Sequence, residues 1–276
     1  MKRFKRRSLL FIPTIKEQYY RKINSINCDA VIFDLEDSIP TFGKEKARGL
    51  LEKKFDQFRS ARKELIIRVN DCRSKYIQKD LNLVLELEPD TVMVPKCDQG
   101  DIEQVDAVLG GIDGLTYMPL IETVNGYMNC KKILEASSKN SGVVFGAEDF
   151  SADVGIPRGE YHQNPIFLQV IVQLILLAKQ FDLDFIDSVY PYLSTDEAFQ
   201  GLIDEATITK KMGAIGKLAV HVSQIEAINQ VYTPNRAEVK KTKVILSELD
   251  RAEKEKQISV FEYQNRMMDT PERKRA

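Results

Sequence analysis

The stretches Tyr117-Met118-Pro119-Leu120-Ile121-Glu122-Thr123 and Gly142-Val143-Val144-Phe145-Gly146-Ala147-Glu148-Asp149 each run apolar residues into a carboxylate. An apolar run of about five residues stopped by Gly or Pro reads as a buried strand. If such strands close into a (β/α) barrel, a carboxylate just past the C-terminal end stands on the catalytic rim. Two such groups on neighbouring strands can share one hard divalent cation and leave its other positions to water and substrate oxygens. The competing reading is that both acids only cap the helices that follow, because negative charge is favourable at helix starts.

Outward from this pair, short apolar runs at 8–12, 30–35, 65–69, 91–94, 116–121, 143–145, 185–187 and 217–220 make eight candidate strands. Helical patterns fall between them, as at 44–58, 101–109 and 197–212. Alternating strand and helix implies a parallel sheet. Eight such units within about 230 residues fit an α/β fold of the (β/α)8 TIM barrel type, whose typical length is about 250. An open, doubly wound sheet would carry a glycine-rich phosphate-binding turn after its first strand, and this chain has none. The barrel is assigned to residues 1–233. After Thr233-Pro234 the pattern changes: 238–256 reads as one long charged helix and 257–276 as a short polar tail. Residues 234–276 are therefore a C-terminal helical extension that packs on the barrel or reaches a neighbouring subunit.

Composition narrows the class. The chain has 276 residues, 43% hydrophobic and 29% charged, enough for a sizeable core in an ordinary globular protein. A net charge of −1 gives no push towards nucleic acid or an anionic membrane. The basic cluster Lys2, Arg3, Lys5, Arg6 and Arg7 reads as a solvated end. The apolar run behind it is cut short by Pro13, Lys16 and Glu17, which is too early for a signal peptide. The run 166–177 is too short to span a bilayer and holds Gln169 and Gln173, so it reads as a buried or interface helix. Cys28, Cys72, Cys97 and Cys130 have no CxxC spacing and read as reduced thiols of a cytoplasmic protein. With only two histidines, His162 and His221, a His-rich metal site is excluded.

Further polar groups fall at the expected strand ends: Asp34-Leu35-Glu36-Asp37-Ser38, Arg68-Val69-Asn70, Pro95-Lys96 and His221. A rim of Glu36, Arg68, Lys96, Glu122 and Asp149 combines a metal site with fixed positive charge, which suits a small 2-oxo acid. Its carboxylate and oxo oxygens can chelate the metal while Arg68 holds the carboxylate through a forked pair of hydrogen bonds. The duller readings are an Arg68–Glu36 pair across adjacent strands, a structural ion pair for Lys96, and a hydrogen-bonded rim role for His221. A Schiff-base role for Lys96 is disfavoured, because the acidic site beside it keeps the amine protonated. The acids at 34–37 lack the second Asp two positions after Asp34 that a phosphatase-type nucleophile pair needs.

With these residues in place, the sequence resembles the citrate lyase β-subunit-like (CitE-like) family of the HpcH/HpaI aldolase superfamily. The matching pieces run in order: Arg7-Ser8-Leu9-Leu10-Phe11-Ile12-Pro13, Asp34-Leu35-Glu36-Asp37-Ser38, Lys46-Ala47-Arg48, Arg68-Val69-Asn70, Val94-Pro95-Lys96, Ile121-Glu122-Thr123, Phe145-Gly146-Ala147-Glu148-Asp149, Gly216-Lys217 to His221, and Gln224. The resemblance implies a (β/α)8 barrel, often trimeric, that makes or breaks a carbon–carbon bond between a 2-oxo acid and an acyl thioester. It implies Mg²⁺ held by Glu122 and Asp149, substrate bound by Arg68, and Glu36 orienting Arg68 or a bound water. The tail Asn265-Arg266-Met267-Met268-Asp269-Thr270-Pro271 is similar to the family's Gly-Lys-Met-Val-Asp-x-Pro, which makes Asp269 the group that handles the proton of the acetyl enolate from a neighbouring subunit. The chain departs from the family at Thr14, where Gly is usual; at His221-Val222-Ser223-Gln224, where His-Pro-x-Gln is usual; at Asn265-Arg266; and through 155–165, which includes Arg158 and His162.

The expected function is a Mg²⁺-dependent carbon–carbon lyase acting on a citramalyl, malyl or citryl thioester of coenzyme A or acyl carrier protein. The rival readings are an aldolase on free hydroxy-oxo acids, a synthase or thioesterase activity on the same barrel, and a non-catalytic scaffold subunit. No nucleic-acid or membrane partner is expected, and a homo-oligomer, trimer favoured, is.

Overall fold

In the computed structural model, which describes residues 4–161, 164–193, 195–256, 260–263, 266–269, 271 and 273, the eight apolar runs are eight parallel strands closed into a barrel. They are β1 (Ser8–Pro13), β2 (Ala30–Asp34), β3 (Glu64–Arg68), β4 (Thr91–Val94), β5 (Thr116–Ile121), β6 (Gly142–Phe145), β7 (Asp184–Asp187) and β8 (Gly216–Ala219), and β8 pairs back onto β1. The connecting helices are α1 (Glu17–Tyr20), α2 (Lys44–Lys54), α3 (Ile77–Leu87), α4 (Asp101–Leu109), α5 (Val124–Glu135), α6 (Ala147–Val154), α7 (Pro165–Gln180), α8 (Asp196–Met212) and α9 (Ile225–Tyr232).

The strands are mostly apolar because both of their faces are covered, and the buried charges within them, such as Glu64, Asp187 and Lys217, are ion-paired. Alternate residues point inward, and Leu9, Ile32, Ile66, Met93, Leu120, Val144, Ile186 and Leu218 fill the barrel. Their neighbours, such as Leu10, Phe33, Ile67, Val92, Val143 and Phe185, lie in the shell under the helices. The run 166–177 forms most of α7, started by Asn164, which accepts the Ile166 N–H at 3.2 Å, and by Pro165 in the first turn. Phe167, Ile171 and Leu174 of α7 are buried in the shell, and no described helix is long and apolar enough to cross a membrane. All four cysteines are free and buried.

Two expectations are corrected. Arg6 is not part of a solvated end: it is buried, with Nε and Nη2 at 2.8 and 2.6 Å from the Glu64 carboxylate, which also accepts the Thr91 hydroxyl. Glu64 is fully buried, so it needs a charged partner, and Arg6 supplies one. The stretch 257–276 is not only a polar tail. Thr233–Ala276 is a second compact unit, apart from Met1–Tyr232, and contains α10 (Arg236–Lys256) and an antiparallel hairpin of β9 (Phe261–Tyr263) and β10 (Arg266–Met268). Asn235 and Glu238 cap α10 reciprocally, each accepting the other's backbone N–H. Ile245 and Leu249 form an apolar stripe on this charged helix, and the hairpin covers it with Met268 and Tyr263.

Candidate active site

At the C-terminal ends of β2 and β3, Asp34 and Arg68 are register partners. Arg68 donates from Nε to Asp34 Oδ1 at 2.7 Å and from Nη2 to Oδ2 at 2.8 Å. Asp34 also accepts the N–H groups of Glu36 (2.9 Å) and Ser38 (3.0 Å), which folds the chain back over the strand end. Burial opposes ionisation of Asp34, but Arg68 and these donors outweigh it and bring the carboxyl down to about 2. The forked face of Arg68 is therefore turned to Asp34 and not to the cavity. Its Nη1 lies 3.2 Å from Glu36 Oε2, and the guanidinium packs 4.7 Å from the centre of the Phe11 ring. The Arg68–Glu36 pair is present, but Asp34 is the main partner.

Lys96, just past β4, has φ +46°, a left-handed backbone that costs a side-chain-bearing residue energy. That turn aims its N–H at Glu122 Oε1, 2.7 Å away. The Lys96 ammonium meets Glu36 Oε1 at 2.5 Å and Asp37 at 3.3 Å, so its observed role is an ion pair. Burial, reinforced by Asp37, raises the Glu36 carboxyl to about 7 against the pull of Arg68 and Lys96. Lys96 itself is raised: desolvation opposes its charge, but the hydrogen bond to Glu36 and the charges of Glu36, Glu122 and Asp37 together outweigh it.

Glu122 is 2% exposed at the end of β5. Gly146 makes room for it, since a Cβ there would lie 2.6 Å from both Cβ and Oε2 of Glu122. Desolvation, then the charges of Glu36 and Asp149, push the Glu122 carboxyl well above the usual range despite Arg68. Asp149 sits in the first turn of α6, whose leading N–H, from Ala147, donates to Ser188 Oγ at 2.9 Å. Arg68, Glu122, Glu148 and Asp149 line one cavity of about 300 Å³ with Phe11 and Leu218. A second groove of about 490 Å³ shares Phe11, Pro13 and Val220 with it and extends to Tyr19, Lys22 and His221.

The site fits a hard cation. A buried carboxylate whose ionisation is opposed by desolvation and by neighbouring negative charge is a group whose charged form a divalent ion would favour. Among the described residues no three His, Cys, Asp or Glu side chains cluster as a closed metal cage. Glu122 and Asp149 line the same cavity, and as two ligands they would leave the remaining positions to water and substrate.

Of the residues singled out in the sequence, the fold brings Arg68, Glu122 and Asp149 to one cavity. Glu36 and Lys96 stand behind Arg68. His221 is exposed, bonded to Ser223, and lines the second groove rather than the first cavity. Asp269 is exposed just after β10 in the second unit; Asn265 and Thr270 of the same motif, like His162, lie outside the described residues. At the first departure from the family pattern, Thr14 is buried and its hydroxyl donates to the Asp34 carbonyl at 2.7 Å, tying β1 to β2. The sequence reading missed Asp34 as the partner of Arg68, a pairing that strand register alone could have signalled. It also missed the buried set around Lys217, Asp187, Glu205 and Arg158, for which the sequence carries no local signal.

A family profile described as HpcH/HpaI aldolase/citrate lyase matches residues 7–222. The chain is 30% identical over 250 residues to a (3S)-malyl-CoA thioesterase of Cereibacter sphaeroides, covering 90% of this chain and 84% of that protein. It is 28% identical over 292 residues to the mitochondrial citramalyl-CoA lyase of Rattus norvegicus, covering 98% of this chain and 84% of that one. Among solved structures it is similar to CitE from Mycobacterium tuberculosis in complex with magnesium and pyruvate, with a TM-score of 0.69, 25% identity, and coverage of 83% of this chain and 91% of that one.

Proposed function

The chain belongs to the HpcH/HpaI aldolase/citrate lyase family, and from that premise we propose that it is a Mg²⁺-dependent carbon–carbon lyase acting on a 3-hydroxy-acyl-CoA thioester, with a 2-oxo acid as one product. The observation that carries this reading is the convergence of Arg68, Glu122 and Asp149 on one cavity of about 300 Å³. Glu122 and Asp149 would hold the cation, which when bound supplies a Lewis acid next to the reacting oxygens. Arg68 offers its remaining N–H groups to the substrate carboxylate, while Asp34 fixes its plane and Glu36 its Nη1 edge. Transfer of the hydroxyl proton to solvent lets that carbon become the carbonyl of the 2-oxo acid as the carbon–carbon bond breaks, and the bond's electron pair moves onto the thioester arm as an enolate. Asp269, delivered by a neighbouring subunit of a homo-oligomer, protonates that carbon. The adjoining groove, with His221 and Lys22 among its polar residues, gives a long thioester arm a path and favours a thioester over a free hydroxy-oxo acid.

A second reading, thioester hydrolysis on the same barrel, is favoured by the 30% identity to a protein named (3S)-malyl-CoA thioesterase. Product analysis separates the two: a lyase releases a 2-oxo acid and keeps the thioester, whereas hydrolysis releases free coenzyme A. The first test is calorimetry of pyruvate, oxaloacetate and glyoxylate with and without Mg²⁺, on wild type and Asp149→Ala. Mg²⁺-dependent binding that disappears in the variant is the expected result. Binding of none of the three would remove the 2-oxo acid half of the proposal.

A further inference from the structure

The first turn of α6 carries two adjacent carboxylates, Glu148 and Asp149, and both line the cavity that holds Glu122. Glu148 is the more exposed of the two, and it is ion-paired: Arg158 Nε lies 3.1 Å from its Oε1. Arg158 is anchored from behind. Its Nη2 lies 3.0 Å from both oxygens of the buried Glu205, and its Nη1 donates to the Gly159 carbonyl at 2.7 Å. The guanidinium packs on the Tyr161 ring at 4.4 Å. Glu205 is held in turn by the fully buried Lys217 at 2.7 Å, and Lys217 also pairs with Asp187 at 2.6 Å. Arg158 therefore meets Glu148 as a fixed cation on a rigid, buried base.

That placement has a consequence at the cation. A hard divalent ion gains affinity from each carboxylate it acquires, but every anionic ligand takes a coordination position and lowers the positive charge left to polarise substrate. We propose that Arg158 is a positioning residue that holds Glu148 off the cation, so that Glu122 and Asp149 remain the only protein carboxylates there and a 2-oxo acid can chelate. The inference rests on the reading of Glu122 and Asp149 as cation ligands. It assigns the pairing a role that a merely structural salt bridge does not have: without it, metal affinity rises while substrate affinity falls.

The test uses the full-length protein and Mn²⁺ alone, followed by electron paramagnetic resonance and water proton relaxation, and then by titration with pyruvate, oxaloacetate and glyoxylate. Arg158→Gln should bind Mn²⁺ about tenfold more tightly, lose about one metal-bound water, and bind the oxo acid about tenfold more weakly. Adding Glu148→Gln to that variant should restore all three quantities, a rescue that simple damage to the fold would not produce. Unchanged or weaker Mn²⁺ binding in Arg158→Gln, with wild type binding normally, overturns the inference. Should Arg158→Gln fail to fold, Glu148→Gln alone decides: the same Mn²⁺ hydration as wild type supports it, and an extra bound water shows Glu148 already ligating and overturns it. Wild-type protein that binds Mn²⁺ independently of Glu122 and Asp149 would overturn the cation site itself and this inference with it.

Discussion

Asp34 and Glu36, two residues apart, carry opposite shifts: burial opposes the charge of both, but Asp34 receives enough donors to outweigh it, whereas Glu36 receives fewer and also faces Asp37. Asp34 takes four, two of them from Arg68, and sits at about 2. Against an unfolded value of about 3.9, this contributes about 2 kcal/mol of stability that is fully present above about pH 5 and lost as pH falls towards 2. Denaturant unfolding from pH 5 to pH 2 should show wild type losing its advantage over Asp34→Asn across that window. Glu36 lies at about 7, so its contribution is present below its unfolded pKa and disappears as pH rises through 7. Glu36→Gln, which mimics the protonated acid, should therefore gain stability relative to wild type between pH 5 and pH 8. Gly146 is the other residue with a single physical requirement. A Cβ there would collide with Glu122, so Gly146→Ala should weaken Mg²⁺ binding at least tenfold and cost about 1–3 kcal/mol, read by metal titration and thermal unfolding.

The elements deliver the site through their ends. Glu122 is followed by Thr123, whose side chain accepts the Gly126 N–H at 3.0 Å and starts α5 where β5 stops. Thr123→Ala should cost about 1 kcal/mol. Between the barrel and α8, Lys217 neutralises Asp187 and Glu205 with no exposed surface of its own. Lys217→Met keeps the volume but strands two buried carboxylates, and a loss of about 3–5 kcal/mol in urea unfolding is expected. All eight strands were legible because a run buried on both faces is apolar at most positions, a pattern that survives without knowledge of its partners even where a paired charge such as Glu64 or Lys217 interrupts it. The hairpin β9–β10 was not legible. Its strands are only three residues each, and the apolar stripe it covers, Ile245 and Leu249, lies in a helix dominated by charge.

For the whole molecule, the proposed role of Asp269 carries its own prediction. If it acts on a neighbour's site, mixing the inactive Asp149→Asn and Asp269→Asn proteins should recover activity, because some sites then combine an intact barrel with an intact tail. With random assembly into a cyclic oligomer, roughly a quarter of sites would be complete. Activity of the mixture no greater than that of the separate variants would place the aspartate in its own subunit or outside the chemistry.

Strand number, strand order along the chain and the places of Glu122 and Asp149 just after β5 and β6 were determined by sequence alone. Each is a local property: an apolar run, its stop signal and the residue that follows. The partners of the charged groups were decided only by tertiary structure. Whether Arg68 forks onto Asp34 or Glu36 depends on the register of β2 against β3. The hold of Arg158 on Glu148 depends on Glu205 and Lys217, which lie 47 or more positions further along the chain. Charge pairing acts through space at about 3 Å, and only the closed barrel brings those distant positions to that range.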